Sequence, residues 1–151
     1  MTVAALELTR MRWWHLEQIL AIEADLFGDE QWTAGMFWSE LAAADRWYLA
    51  LVSDSEVLGY AGLCVYPDSA WVQNIAVRRS AQGTGLGSRL LDALLAEARR
   101  RGAPQVALEV AADNPVAQRL YERRGFTVTG VRRAYYQPSG TDALVMIKED
   151  V

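Results

Sequence analysis

Gln82-Gly83-Thr84-Gly85-Leu86-Gly87 is the stretch that decides the fold of this 151-residue chain, because it connects an apolar segment to an amphipathic one. Asn74-Ile75-Ala76-Val77 before it is typical of a strand, and the residues after it carry apolar side chains at helical spacing. Glycines allow a sharp turn and the close approach of a ligand, and the first N–H groups of a helix attract anions. The stretch therefore predicts a binding site for a phosphate-bearing ligand at the start of a helix.

The spacing within the glycine run separates three interpretations. A nucleotide-triphosphate P-loop needs a Lys followed by Ser or Thr after its second glycine, and Gly87-Ser88-Arg89 does not supply that order. A dinucleotide fingerprint needs a glycine or alanine where Ser88 stands and an acidic residue about 20 residues further on, where Ala103-Pro104 stand instead. A plain glycine-rich turn explains one or two glycines, but not their position at the start of an amphipathic helix.

The rest of the chain predicts a mixed sheet with helices. Strands are expected at residues 6–9, 47–52, 57–66, 70–78, 105–110, 126–133 and 143–148. Helices are expected at residues 13–27, after the capping residue Thr33, after Leu86, and between Asn114-Pro115 and Gly125. Short polar turns join the second, third and fourth strands, so these should pair antiparallel, whereas helices separate the later strands. The pattern therefore predicts an α/β (α+β) fold: a mixed central sheet flanked by helices, open to a ligand where antiparallel pairing changes to parallel.

Length and composition bound the class of protein. With 151 residues, of which 52% are hydrophobic and 23% charged, the chain is expected to form a single domain, residues 1–151. Its formal net charge of -4 argues against a nucleic-acid-binding protein, which usually has a basic balance. The mild acidity is compatible with a basic polypeptide partner, and equally with simple solubility.

The chain has one cysteine, Cys64, and one histidine, His15. A single cysteine excludes an internal disulfide framework and a multi-cysteine zinc site, so no metal is expected. Cys64 is expected to be buried in a strand and His15 to be a partly exposed helix residue, so a nucleophilic Cys64–His15 pair is not expected. No secretory signal and no long uncharged apolar stretch are evident, which predicts a soluble cytoplasmic protein without a membrane segment.

The motif Gln82-x-x-Gly85-x-Gly87 after Asn74-Ile75-Ala76-Val77 resembles the acetyl-CoA signature of the GNAT N-acetyltransferase superfamily. The resemblance implies the GNAT fold, with a parallel strand pair at the cofactor site and acetyl-CoA as acetyl donor. It also implies that the loop amides hold the pyrophosphate and that the strand backbone pairs with the pantetheine arm. Carried onto this chain, the implied cofactor-binding residues are Ile75, Ala76, Val77, Gln82, Gly83, Thr84, Gly85, Leu86, Gly87, Ser88 and Asn114. Arg78 and Arg79 are further candidates for phosphate contacts, or are solvated beside the loop.

Further blocks are similar to the branch of this superfamily that acetylates the N-terminal alanine of a bacterial ribosomal protein. They are Leu108-Glu109-Val110, Asn114, Leu120-Tyr121-Glu122, Arg124-Gly125-Phe126, Arg133-Ala134-Tyr135-Tyr136 and Asp142-Ala143-Leu144-Val145-Met146. Trp32-Thr33 fits the Trp-Ser that is common after the first helix of that branch. Two positions depart from the pattern: Ala134 stands where a polar residue is common, and Gly83-Thr84 replaces a turn that is usually richer in basic residues.

Three residues are candidates for the chemistry of acetyl transfer. Glu109 lies within an apolar strand, where partial burial suits a general base; period-2 alternation allows it equally to be a strand carboxylate that faces solvent. Tyr121 follows Asn114 by two helical turns, so both side chains can face one extended cofactor. The resemblance implies that Asn114 contacts the cofactor, that Tyr121 protonates its sulfur, and that the Val77 N–H polarises the thioester carbonyl. Otherwise Asn114 is only a helix cap and Tyr121 only a core residue.

The resemblance also implies an acceptor site, between the first interhelical loop and the final hairpin. Trp32 in the loop and Tyr135 and Tyr136 at the hairpin are the candidate acceptor-binding residues, and Asp25, Asp29 and Glu30 add negative charge. Acidic and aromatic groups suit a basic N-terminal peptide, so the implied partner is the N-terminus of a ribosomal protein. The implied enzyme is a monomer or weak dimer that transfers acetyl directly in a ternary complex. If these carboxylates are merely solvated and the tyrosines pack on the sheet, no peptide site follows.

Two other functions remain open at this point. The same fold acetylates lysine side chains or small-molecule amines, which a cofactor motif does not exclude. A non-catalytic acyl-CoA-binding or partner-binding module is the other class, and it would use exposed tryptophans for recognition. The candidate residues are Trp13, Trp14, Trp32 and Trp38, but tryptophans are more often buried, so burial is expected for them.

Overall fold

The computed structural model describes residues 5–151, and their centre is a seven-stranded mixed sheet flanked by four α-helices. The strands are β1 Leu6–Arg10, β2 Arg46–Ser53, β3 Glu56–Val65, β4 Ala70–Val77, β5 Gln105–Ala111, β6 Thr127–Arg132 and β7 Ala143–Glu149. The helices are α1 Leu16–Phe27, α2 Ala34–Ala42, α3 Leu86–Arg100 and α4 Pro115–Arg123, and short 3-10 turns occur at Trp13–His15, Gly28–Glu30 and Arg79–Ala81. The predicted α/β (α+β) architecture is confirmed, with boundaries that differ by a few residues.

The strands follow the order β1-β2-β3-β4-β5-β7-β6 across the sheet. β1 to β4 pair antiparallel with their neighbours along the chain, as the short turns predicted. The β4–β5 pair is parallel, and α3 makes the connection between the two strands. β7 inserts antiparallel between β5 and β6, so the parallel pair lies inside an otherwise antiparallel sheet.

β4 and β5 are paired over only a short length. Ala70 is opposite Val106 and Trp71 is opposite Ala107, and no later residue of β4 pairs with β5 among the described residues. Beyond Trp71 the two strands therefore diverge, although each keeps its other neighbour in the sheet. The divergence opens a cleft in the middle of the sheet rather than at its edge.

β4 contains a bulge at Gln73. The pairing with β3 steps from Val72–Leu63 to Asn74–Gly62, so Gln73 is an extra residue without a partner of its own in the register. Val72 packs in the core beneath α3, but after the bulge Ile75 takes that side and Ala76 packs in the core beneath α1. The extra residue thus reverses the side-chain alternation and turns Asn74, two residues from Ala76, toward the α1 side.

The sheet separates two hydrophobic cores. The core on the α3/α4 side contains the fully buried leucines of α3, Leu90, Leu91 and Leu94, against alternate residues of β2, β3, β5 and β7. The core on the α1/α2 side contains Leu16, Ile19, Ile22, Phe37, Tyr48, Val57, Tyr60 and Ala76. No helix in residues 5–151 is long and apolar enough to cross a membrane.

Side-chain caps and glycines bound the helices as expected. The Thr33 hydroxyl accepts a hydrogen bond from the Met36 N–H at 3.2 Å, and Asn114 Oδ1 accepts one from the Ala117 N–H at 3.2 Å. Pro115 occupies the first position of α4, where its missing N–H costs nothing. Gly102 after α3 has φ 78°, which an L-residue with a side chain rarely adopts.

His15 is buried, so the prediction of a partly exposed helix residue is wrong. Only 8% of its surface is exposed, and it closes the 3-10 turn that precedes α1. Its Nδ1 accepts a hydrogen bond from the Arg12 N–H at 2.9 Å. Burial, and next the Arg12 charge, lower the pKa of His15. Cys64 is buried in β3 as expected, and the Arg46 guanidinium donates to its Sγ at 2.8 Å.

The expectation that the tryptophans are buried is also wrong for three of the four. Trp13, Trp14 and Trp38 are 62%, 59% and 52% exposed, and only Trp32 is half-buried. Trp13 and Trp14 stack edge to face on each other, with ring centroids 5.7 Å apart. Trp13 and Trp14 therefore lie on the surface of the 3-10 turn, and Trp38 on the surface of α2, rather than in a core.

Candidate active site

The cleft between the diverging strands has a volume of about 540 Å³. Its walls are the second halves of β4 and β5, and α1, the α1–α2 connection, α4 and the β6–β7 loop surround it. Of the predicted site residues, those on its walls are Trp32, Ile75, Glu109, Asn114, Tyr121 and Tyr136. This set joins residues that are up to 104 positions apart in the sequence, from residue 32 to residue 136.

The glycine loop follows directly from the carboxyl end of β4. Gly83 and Gly85 have φ of 77° and 84°, so both need the left-handed conformation that glycine allows. α3 starts after Gly85 with no side-chain cap and no acidic residue in its first turn. Its first N–H groups are therefore available to an anion, and the helix dipole favours one there.

Two hydrogen bonds hold this loop against the strand. Gln82 Nε2 donates to the Val77 carbonyl oxygen at 3.0 Å, and the Thr84 hydroxyl donates to the Ala81 carbonyl at 2.6 Å. The Gln82 side chain thus ties the loop to the last residue of β4. Gly87 lies over Leu120 and Val77 with room for ordinary contact only, so α3, α4 and β4 converge at this point.

The two arginines after β4 are engaged with carboxylates. Arg78 forms an ion pair with Glu56, and Arg79 Nε lies 3.1 Å from Asp25 Oδ2. Arg79 also donates to the Asp25 carbonyl oxygen at 3.2 Å. Asp25, expected near the acceptor, therefore fastens the end of α1 to the start of the glycine loop.

Glu109 is not a solvent-facing strand carboxylate. Leu108 and Val110 on either side of it pack in the α3/α4 core, so Glu109 points to the α1/α2 side of the sheet. Its side chain is 17% exposed, and Oε1 lies 3.3 Å from Arg132 Nε. Oε2 is buried and has no hydrogen-bond partner within the described part of the chain. A buried carboxylate oxygen that opens on a cleft is able to accept a proton from a bound amine or water.

Tyr121 and Asn114 lie on the same side of α4. Tyr121 is 5% exposed and packs edge to face on Phe126, with centroids 5.9 Å apart. Burial, and next the neighbouring Tyr136, raise the pKa of Tyr121, so its phenol keeps its proton at neutral pH. Asn114 caps α4 with its Oδ1, which leaves its Nδ2 available at the cleft.

The acceptor-side residues come from two separate segments that touch each other. Trp32 packs on Phe37, with centroids 5.2 Å apart, and Glu30 Oε1 accepts a hydrogen bond from the Ser139 N–H at 3.3 Å. The latter contact joins the α1–α2 connection to the β6–β7 loop across the cleft.

The two predicted tyrosines differ in position. Tyr136 lies on the cleft wall, and burial, followed by the Glu109 charge, raises its pKa to about 12. Tyr135 stands outside the cleft wall and is 49% exposed, with its ring packed edge to face on Tyr136. Burial, and next the neighbouring Glu109 carboxylate, raise the pKa of Tyr135. Ala134 before them has φ 50°, a conformation in which polar Asn or Asp is commoner than Ala.

Sequence reasoning assigned no role to three further polar residues with buried side-chain atoms near the cleft, Tyr60, Asn74 and Glu23. The Tyr60 hydroxyl and both amide atoms of Asn74 are buried without a hydrogen-bond partner in residues 5–151. Glu23 is 1% exposed, its Oε2 lies 3.5 Å from the Trp32 N–H, and burial raises its pKa. Helical spacing from Ile19 was a signal that Glu23 faces the core. The signal for Asn74 was an amide within an apolar strand.

Comparisons with known proteins agree with this architecture. The Acetyltransferase (GNAT) family matches residues 8–126. The N-alpha-acetyltransferase RimI of Mycobacterium tuberculosis (strain ATCC 25618 / H37Rv) is 40% identical over 133 residues, which are 85% of this chain and 82% of that protein. The crystal structure of the ribosomal-protein-S18-alanine N-acetyltransferase from Escherichia coli has a TM-score of 0.87 at 30% identity, and covers 96% of this chain and 94% of its own.

A more distant structure shares the fold alone. Arabidopsis thaliana NAA60 in complex with acetyl-CoA has a TM-score of 0.86 at 16% identity, over 97% of this chain and 99% of that chain. The family match includes β1 to β5, α1, the glycine loop, α3 and α4, and therefore the elements that form the cleft apart from the β6–β7 loop. On this match and on the identity with RimI, the chain belongs to the Acetyltransferase (GNAT) family.

Proposed function

We propose that the chain is an acetyl-CoA-dependent enzyme that acetylates the N-terminal α-amine of a protein, in one domain comprising residues 1–151. The expected substrate is the N-terminal alanine of a small-subunit ribosomal protein, the activity for which the similar Escherichia coli protein is named. One observation carries the proposal: an unpartnered oxygen of Glu109 and the buried phenol of Tyr121 open on one cleft. That cleft ends at the carboxyl end of β4, where the glycine loop begins.

The donor side of the cleft fits acetyl-CoA. The uncapped start of α3 suits a pyrophosphate, held by the N–H groups of Gly83 through Ser88. Ile75, Ala76 and Val77 belong to the part of β4 that no longer pairs with β5, so their backbone is available to an extended pantetheine arm. Gln82 holds the loop in place and Asn114 offers its Nδ2. When bound, acetyl-CoA supplies the activated acetyl group as a thioester.

The chain's own residues then divide the proton transfers. Glu109 Oε2 accepts a proton from the acceptor ammonium, directly or through water, which frees the nitrogen lone pair for attack on the thioester carbonyl carbon. The Val77 N–H donates to the carbonyl oxygen as negative charge develops on it. As the carbon–sulfur bond breaks, Tyr121 donates its phenolic proton to the departing sulfur, and the second proton that the nitrogen loses as the amide forms restores the phenol, directly or through water. Because the pKa of Tyr121 is raised, the phenol is protonated at neutral pH before the carbon–sulfur bond breaks.

The acceptor side suits the end of a peptide. Trp32 and Tyr136 provide apolar walls, and Tyr135 lies beside them next to Glu109. Glu30 and Asp29 in the α1–α2 connection give the surroundings a negative charge that attracts a basic peptide. Because Glu30 and Ser139 join the two segments across the cleft, a chain end enters this space more readily than a side chain on a folded surface.

The test uses acetyl-CoA with two matched peptides. One begins with a free alanine and contains no lysine, and the other has a blocked N-terminus and an internal lysine. We expect release of CoA and addition of a single acetyl group, measured by mass spectrometry, only with the first. Transfer only to the lysine peptide, or only to small amines, would contradict the proposal. Binding of acetyl-CoA without transfer to any amine would instead identify a non-catalytic binding module.

A further inference from the structure

We propose that Asn74 is an amine-binding residue, whose Oδ1 accepts a hydrogen bond from the α-ammonium of the acceptor next to Glu109. The inference rests on the proposed function and adds a determinant of acceptor specificity to it. It starts from the two unpartnered groups on the facing walls of the cleft, the amide of Asn74 on β4 and Oε2 of Glu109 on β5.

The bulge at Gln73 gives Asn74 its direction. Without the extra residue, strand alternation would place position 74 with Val72 in the α3/α4 core. With it, Asn74 shares the side of Ala76, and Glu109 faces the same side from β5. The two residues therefore stand on the two strands that diverge, on the same side of the sheet.

The fold does not satisfy this amide. Both Asn74 Oδ1 and Nδ2 are buried and neither has a hydrogen-bond partner in residues 5–151. Buried polar groups in proteins are nearly always hydrogen-bonded, so a pair of open atoms on a cleft wall indicates that a ligand or water completes them. The cost of leaving them open in the free protein is removed only when that partner is bound.

A primary ammonium matches what the two residues offer. It has three N–H donors, and Asn74 Oδ1 and Glu109 Oε2 are acceptors without partners. A neutral amide accepts the hydrogen bond but does not compete with Glu109 for the proton. Asn74 thus orients the nitrogen and leaves the proton transfer to the carboxylate.

The experiment measures recognition of the amine apart from turnover. Two peptides are compared, one with an N-terminal alanine and one in which a propionyl group replaces that alanine and only the amine is missing. Their dissociation constants are measured by calorimetry on the CoA complex, which has no acetyl group to transfer. We expect the wild-type protein to prefer the amine peptide by about tenfold to a hundredfold, the range for a hydrogen bond to a charged group.

Two variants and a control complete the design. Asn74→Leu should lose most of that preference and about tenfold or more of kcat/KM, while its melting temperature stays equal or rises because an unsatisfied amide is removed. Asn74→Asp keeps an acceptor oxygen and should keep the preference. Gln105→Leu makes the same amide-to-leucine change on β5 outside the cleft, and should leave the preference and kcat/KM unchanged.

Asn74→Leu with the wild-type preference and wild-type kcat/KM would overturn the inference. A fall in its melting temperature with the preference intact would do so as well, because it would indicate a structural amide. Both outcomes differ from failure of the proposed function, in which the wild-type protein itself acetylates no α-amine. That last result would overturn both.

Discussion

The two sides of the sheet differ in whether their buried polar groups have partners. On the α3/α4 side, fully buried leucines of α3 fill the core, and Glu97, a buried carboxylate on that helix, is paired with Arg100 and Arg101. On the α1/α2 side, Tyr60 and Asn74 have buried side-chain atoms without a hydrogen-bond partner among residues 5–151.

This contrast distinguishes residues that stabilise the fold from residues that serve the proposed reaction. In the leucine core of the α3/α4 side, apolar packing and the paired Glu97 contribute to folding, and the polar groups on this side that face a ligand are confined to Tyr121, Asn114 and the start of α3. Unpaired polar atoms next to the cleft destabilise the protein when no ligand is bound. Substrate binding removes this cost by supplying hydrogen-bond partners. Variants in the leucine core or at paired polar groups should therefore lower stability, and variants at the polar groups that line the cleft should mainly lower activity.

The largest effect is expected at Glu109. Glu109→Gln removes the proton acceptor but keeps the shape, so kcat should fall by about a hundredfold to ten-thousandfold. Tyr121→Phe should lower kcat in the same way, through loss of the proton donor. The dissociation constant for acetyl-CoA, measured by calorimetry, and the melting temperature should both change little. Unchanged turnover in either variant would remove that residue from the chemistry.

In the α3/α4 core we expect the reverse: a loss of stability with little change in kcat. Leu94 is a fully buried residue of α3, and Leu94→Ala should lower the free energy of unfolding by about 2–5 kcal/mol. Urea denaturation followed by circular dichroism measures this change. At temperatures where the variant is folded, its kcat should remain near the wild-type value. A large loss of kcat in the folded variant would break the separation between the two sides.

Two tyrosines on the α1/α2 side provide a matched pair of smaller effects. Both are buried, but the Tyr48 hydroxyl donates to Glu40 Oε1 at 2.8 Å whereas the Tyr60 hydroxyl has no partner in residues 5–151. Tyr48→Phe should cost about 1–2 kcal/mol of unfolding free energy, because it leaves Glu40 Oε1 without its donor, whereas Arg46 still donates to Oε2. Tyr60→Phe should cost less, because the Tyr60 hydroxyl makes no such hydrogen bond and only lies beside the Glu23 carboxylate. Equal losses in the two variants would contradict the claim that only one hydroxyl is paired.

The smallest effect concerns the paired carboxylate of the α3/α4 side. The Arg100 guanidinium, with Arg101, holds the pKa of Glu97 at about 2, below its ordinary 4.5. A carboxylate with a lowered pKa stabilises the fold above its unfolded pKa, so this contribution should decline as the pH falls from 4.5 to 2. Glu97→Gln should cost about 1 kcal/mol at neutral pH, because solvent screens the exposed Arg100. Its thermal stability should fall less than that of the wild-type protein across that acid interval. A parallel decline would show that Glu97 does not cause it.

Much of the fold was predictable from the chain because its strongest signals are local. The leucine spacing after Leu86, the caps at Thr33 and Asn114, and the glycine run each depend on neighbours within a few residues. The parallel pair at the cleft followed from the order of strands and helices.

The features that could not be predicted from the sequence depend on contacts between residues that are distant in the chain. The bulge at Gln73 exists only in the register between β3 and β4, so strand alternation alone could not place Asn74 on the cleft wall. His15 was misjudged because its burial comes from the chain around the 3-10 turn, not from the helix pattern. Tyr135 and Tyr136 are adjacent in sequence, yet only Tyr136 lies on the cleft wall, which the hairpin geometry decides.

The short β4–β5 pairing gives a strand at the centre of the sheet the properties of an edge. Past Trp71, β4 has a hydrogen-bonded neighbour strand on one side only within residues 5–151, so about half of its amides should exchange with solvent as readily as those of an outer strand. An exposed edge normally invites another chain to pair and aggregate, but here the surrounding helices and loops shield it. An extended ligand that pairs with this edge would complete the sheet, and its departure would reopen it.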